Sequence, residues 1–86
     1  MAENKVTIHN KTGLHARPAA LFVQKASQFT SDISIVLGAK VVNAKSIMGV
    51  MSLGAGQGSK ILIKAKGEDA QQAVDALTEL LDSLSE

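Results

Sequence analysis

Apolar residues recur along the chain with two periods. Residues 5–9 alternate, placing Val6 and Ile8 on one side of an extended segment and Lys5, Thr7 and His9 on the other, which is the period of a half-buried strand. From Ala16 to about Gln28 the period lengthens, and Ala19, Phe22, Val23 and Ala26 share one helical face. Alternation returns over residues 32–37 with Ile33, Ile35 and Leu37 inward, and Gly38-Ala39 makes a tight turn into a strand over 40–43. Ser46 predicts an N-cap, residues 47–53 two turns of helix, and Gly54 its end. The run Gly54-Ala55-Gly56-Gln57-Gly58 reads as a flexible connection to a strand over 60–66, with Ile61, Ile63 and Ala65 inward. Asp69, followed three residues later by Gln72 in a capping-box arrangement, opens a last helix. Its stripe is Val74, Leu77, Leu81 and Leu84, completed by Ala70 and Ala73.

The order is thus βαββαβα, with strands too short and too interrupted for a parallel sheet. An α+β fold follows, in which a four-stranded antiparallel sheet is covered on one face by three helices. The 86 residues leave room for one domain, residues 1–86, and a domain of that size buries only about 60–65% of its unfolded surface. With no cysteine, disulfides, thiolate zinc sites and redox motifs are excluded. No segment has the length of a signal-peptide core or a membrane span, so a cytoplasmic protein without membrane insertion is expected. Nine basic and eight acidic residues give a net charge of +1, and Phe22 and Phe29 are the aromatics. That balance argues against direct nucleic-acid binding.

Candidate chemistry concentrates in Gly13-Leu14-His15-Ala16-Arg17-Pro18-Ala19. Gly13 permits a tight turn and Pro18 is tolerated in a first helical turn, so His15 stands at or near an N-cap. A phosphoryl group on His15 would meet backbone N–H groups and the positive end of the helix macrodipole. Arg17 adds a cation with fork geometry. Ser46 combines two compatible roles, capping its helix and offering a hydroxyl where an added dianion is tolerated. If Val50 and Leu53 face the sheet, Ile47, Met48 and Met51 lie toward solvent and form a partner surface, to which flexible methionines are suited. The loop 54–58 has G-x-G-x-G spacing, lacks a Gly-Lys-Ser/Thr element and leads into a strand, so it is not a nucleotide cradle. His9 has only His15 for company, so neither metal nor cofactor is expected.

The heptapeptide resembles the active-site signature of HPr, the histidine-containing phosphocarrier family of the bacterial phosphotransferase system. Lys45-Ser46-Ile47-Met48-Gly49-Val50-Met51-Ser52-Leu53-Gly54 resembles the regulatory-serine segment of its Gram-positive members. The similarity runs through essentially the whole chain. It implies the open-faced sandwich, and a carrier without turnover of its own. By this resemblance His15 accepts a phosphoryl group at Nδ1 from phospho-enzyme I, Arg17 compensates its charge, and IIA domains of sugar permeases receive it. It further implies that Ser46 is phosphorylated by HPr kinase/phosphorylase and that this form binds catabolite control protein A. Ala16, Arg17, Ala20, Gln24 and Ser27 join Ile47, Met48 and Met51 in the docking face that the resemblance implies. Gln24 and Ser27 stand where certain relatives carry lysines, which makes this face more apolar. A monomer is expected. One regulatory paralogue has glutamine in place of the active histidine. A purely regulatory protein acting through Ser46 is the first alternative, and a non-carrier interaction domain the second.

Overall fold

The computed structural model describes residues 1–84, and its elements follow the predicted order: β1 (Ala2–Thr7), α1 (Ala16–Ala26), β2 (Asp32–Leu37), β3 (Lys40–Asn43), α2 (Ile47–Ser52), β4 (Lys60–Lys66) and α3 (Ala70–Ser83). The strands make one antiparallel sheet in the order β1-β4-β2-β3. Register follows from the alternation, because a slip of one residue would turn every apolar side chain to the solvent face. Val6 lies opposite Ile61, Ile63 opposite Ile35, and Ala65 between Ala2 and Ile33. These inward residues are buried and pack with Ala19, Phe22 and Ala26 of α1, Val50 of α2, and Ala73, Val74, Leu77 and Leu81 of α3. The opposite face carries the row Lys5, Leu62, Val36 and Val41, and Val41 is 65% exposed.

β1 differs most from its expected span, starting at Ala2 and ending at Thr7 rather than covering 5–9. Asn4 masks the alternation: it takes an inward position beside Ile63, and its Nδ2 donates to Thr78 Oγ1 on α3 at 3.0 Å. His9 lies beyond the strand and is exposed. α1 stops at Ala26 instead of Gln28, because Ser27, Gln28 and Phe29 donate their N–H groups back to Val23, Lys25 and Ala26 in a closing turn. α2 ends at Ser52, and Gly54 takes the left-handed conformation, φ 65°, that terminates it. Leu37 is half-buried and packs at the margin of the core, as does Leu84 beyond the end of α3.

Asp69 stands at the N-cap of α3, but its side chain makes no cap hydrogen bond. Its carboxylate reaches across to the turn after α1, accepting from Thr30 N–H at 2.8 Å, from Ser31 N–H at 3.0 Å and from the Ser31 hydroxyl. The expected capping box is therefore replaced by a tertiary clasp, because a turn of free N–H groups outcompetes the helix's own amides. Gly67 makes room for the clasp: its φ is 151°, and a Cβ there would lie 2.5 Å from Ser31 Oγ.

The Ser31 hydroxyl, then the Thr30 amide, hold the Asp69 carboxyl at about 2, below the ordinary 3.8, against a smaller opposing effect of desolvation. A depressed aspartate stabilises the fold above its unfolded pKa, and this is lost as pH falls through the folded value. Thermal unfolding from pH 7 to pH 2 should therefore show a decline between about pH 4 and about 2 that is shallower in Asp69→Asn. The variant should also unfold at a lower temperature at pH 7, since an amide cannot accept all three bonds. Parallel curves for the two proteins would show that the clasp contributes nothing.

Candidate functional site

The segment linking β1 to α1 is fixed by a second loop, the one that follows α2. Gly13 has φ 63°, and a Cβ there would lie 2.2 Å from Ala55 O and 2.6 Å from Gly56 Cα. Only glycine allows so close an approach. The Leu14 N–H donates to Ala55 O at 2.8 Å, and the Leu14 side chain is fully buried. Further along the same two loops, Gly58 N–H donates to Ile8 O at 2.6 Å and Gln57 Nε2 to His9 O at 3.1 Å. Residues 54–58 are therefore a brace for the chain before α1, and not the flexible connection expected from their glycines. Nothing in the G-x-G-x-G pattern distinguishes the two, because the close approach depends on a partner more than forty residues away in sequence.

Within the braced segment Asn10 is buried, at 4% exposure. Its Nδ2 donates to Gly13 O at 3.0 Å, and Gly13 N–H donates to Asn10 O at 3.2 Å. Asn10 Oδ1 is buried and meets no donor among the described residues, a condition that typically costs about 1–3 kcal/mol. An Asn in a polar run before a glycine reads as an ordinary turn residue, so the sequence carries no signal of its burial.

His15 emerges from this support. It occupies the N-cap of α1 in extended conformation, φ −129° and ψ 152°, and its side chain makes no cap hydrogen bond. The imidazole is exposed, like the side chains of Ala16 and Arg17 that follow. Ala16 has φ 45° and is the one non-glycine residue with positive φ among the described residues. A Cβ disfavours that region, so the conformation persists only where the surroundings impose it. Here Leu14 anchors one side and buried Pro18 and Ala19 the other. No acidic residue lies in the first turn of α1, so an anion at His15 meets no opposing carboxylate from that turn. Among the described residues no group of three or more His, Cys, Asp or Glu side chains is placed to hold a metal ion.

From this tip the expected docking residues run down α1 at helical spacing: Arg17, Gln24 and Ser27 are exposed and Ala20 is half-buried. α1 packs against α2, and there Ile47 is 46% and Met48 81% exposed. Met51 departs from expectation. It is half-buried and packs on the core, standing one step of about 100° round the helix from the buried Val50. Val50 and Leu53 face inward as predicted. Ser46 caps α2, accepting from Gly49 N–H at 3.1 Å, while Lys45 Nζ donates to Phe29 O at 2.7 Å and ties the segment before α2 to the end of α1.

The family described as the PTS HPr component phosphorylation site matches residues 2–83. The HPr-like protein Crh of Halalkalibacterium halodurans is 54% identical over 82 residues, covering 95% of this chain and 98% of its own. HPr of Thermoanaerobacter tengcongensis superposes with a TM-score of 0.94 at 55% identity, covering 96% of this chain and 93% of that one. Crh of Bacillus subtilis, solved as an intertwined dimer with a swapped domain, gives 0.78 at 48% identity, covering 100% and 99%. A monomeric state is therefore not common to all these relatives, and the expectation of a monomer draws no support from them. The match over nearly the whole chain, the order of elements and these likenesses lead to one conclusion: the chain belongs to the HPr family of the phosphotransferase system.

Proposed function

We propose that the chain is a phosphoryl carrier that receives its cargo on His15. The observation that carries this reading is an exposed imidazole at the N-terminal tip of α1, within a chain matched by the HPr phosphorylation-site family from residue 2 to residue 83. Phospho-enzyme I is the donor and the IIA domains of sugar permeases are the acceptors. Each transfer is an in-line displacement: the bond from phosphorus to the donor nitrogen breaks as the bond to the accepting nitrogen forms. The phosphoryl group itself offers little covalent chemistry to the protein, so positioning and charge compensation carry the catalysis. His15 Nδ1 is the accepting atom. Arg17 and the first-turn amides of α1 balance the charge, and an open site lets the group leave again. The protein acts in the cytoplasm as a shuttle and has no turnover of its own.

Ser46 is the regulatory site in this reading. A phosphate on its Oγ places a dianion beside Ile47 and Met48, in the middle of the apolar part of the docking face. HPr kinase/phosphorylase is the enzyme that adds it, and catabolite control protein A the partner of the modified form. Docking uses Ala16, Arg17, Ala20, Gln24 and Ser27 with Ile47, Met48 and the exposed part of Met51. A second, purely regulatory reading is favoured by the 54% identity to an HPr-like protein Crh. The presence of His15 favours the carrier.

Incubation with labelled phosphoenolpyruvate and enzyme I separates the two. Wild type should take up acid-labile label and His15→Ala none; a folded wild type without label overturns the carrier reading and makes the Ser46 role the leading one. Arg17→Ala should slow transfer about ten- to a hundredfold while its thermal midpoint stays close to wild type, as for most surface substitutions. Transfer at the wild-type rate would remove Arg17 from the mechanism. Ser46→Asp keeps a good N-cap residue, so stability should hold while the dissociation constant for enzyme I, measured by calorimetry, rises about three- to tenfold. Unchanged affinity would place Ser46 outside the docking face.

A further inference from the structure

The Gly13–Leu14 peptide is held at both ends. Its carbonyl accepts from Asn10 Nδ2 at 3.0 Å, and its N–H donates to Ala55 O at 2.8 Å. The C=O and N–H of a trans peptide point in opposite directions, and the described chain contains no cis peptide. Asn10 and Ala55 therefore grip this unit from opposite sides, so its plane cannot rotate without breaking a bond to one or the other. The next residue is His15, and beyond it Ala16 holds φ 45°. A rotation of the gripped plane would pass directly into these two residues.

Asn10 is suited to this task and to little else. It is 96% removed from solvent by its 4% exposure, and a hydrocarbon side chain of similar size would spare the fold a buried acceptor without a donor. Its amide cannot be turned round, because Gly13 O requires a donor where Nδ2 stands. The Asn10 side chain makes no contact with the docking helices in its hydrogen bonding, which runs to Gly13 O and, at 3.5 Å, to Thr12 Oγ1. We infer that Asn10 is a positioning residue for His15: by fixing the Gly13–Leu14 peptide against Ala55 it sets the direction in which the imidazole is presented to a phosphoryl donor. The inference rests on the carrier reading. It concerns rate after docking and leaves affinity alone, because the faces of α1 and α2 are untouched.

Transfer from phospho-enzyme I to Asn10→Leu tests it. Leucine fills the same space; it leaves Gly13 O without its donor but also removes the unpartnered Oδ1, two opposing effects of similar size that should keep the thermal midpoint within a few degrees of wild type. The transfer rate at saturating donor should fall about tenfold, in line with the cost of misplacing a reacting group by a fraction of an ångström, while the half-saturating concentration stays within about twofold. Hydrogen exchange at the Leu14 amide should quicken in the same variant. Asn10→Ala is read by the same criteria, and Val74→Ala, a core truncation in α3, should lose stability but keep the saturating rate. A wild-type saturating rate in both Asn10 variants overturns the inference, as does a loss confined to the half-saturating concentration or one that Val74→Ala shares. If neither Asn10 variant folds, Asn10 serves folding and the inference is likewise overturned. A wild-type protein that takes no phosphoryl group defeats the carrier reading instead.

Discussion

A sheet with one apolar face must be covered on that face alone, and this constraint arranges everything else. Ile33, Ile35, Ile61 and Ile63 present a floor that three helices close, with Phe22, Val50, Leu77 and Leu81 descending onto it. At roughly 25 cal/mol per Å² of apolar surface removed from water, such burial is the main favourable contribution to folding. Because the connections between strands and helices are short, covering one face also brings the loop before α1 and the loop after α2 to lie against each other. The contact of Gly13 with Ala55 and Gly56 is the outcome. A chemical site on this fold is thus assembled from loops whose places the core has already determined.

The site pairs order with exposure. His15 is open to solvent, yet the residues before it are buried and bonded, and Ala16 after it holds a backbone conformation that its side chain disfavours. An unsupported surface loop would relax such a conformation. The imidazole is therefore presented from a backbone whose preceding residues are bonded and buried. In the carrier reading proposed above, this suits a group that meets a donor and an acceptor in turn, since reorganisation at each encounter would add to the barrier.

Much of this was legible in the sequence because it is written in local periodicity. Alternation placed β2 and β4, the Gly38-Ala39 turn placed β3, and the helical stripes placed α1 and α3 with their buried residues. Gly13, Pro18 and Ser46 marked helix starts by steric and hydrogen-bonding rules that act over three or four residues. What escaped was non-local. Asn4 hid the true start of β1 because its partner, Thr78, lies on the last helix. Asp69 fits a capping box in sequence and becomes a clasp only because Thr30 and Ser31 turn their amides toward it. The bracing by residues 54–58 and the burial of Asn10 depend on the same kind of encounter. Their residue types are those of any polar loop, and only the folded chain tells which loop meets which.

The cap on α2 has a consequence for how Ser46 can be approached. This helix spans six residues, with no acidic side chain in its first turn and no basic one in its last, so the Ser46 hydroxyl is a leading part of what holds its beginning together. The lone pair that accepts from Gly49 N–H is drawn from the same oxygen that any modifying reagent must use as its nucleophile. That oxygen carries a second lone pair, so the cap leaves one free and fixes the direction from which a reagent can reach it. A half-buried hydroxyl is in this way presented along a line set by the element that it starts.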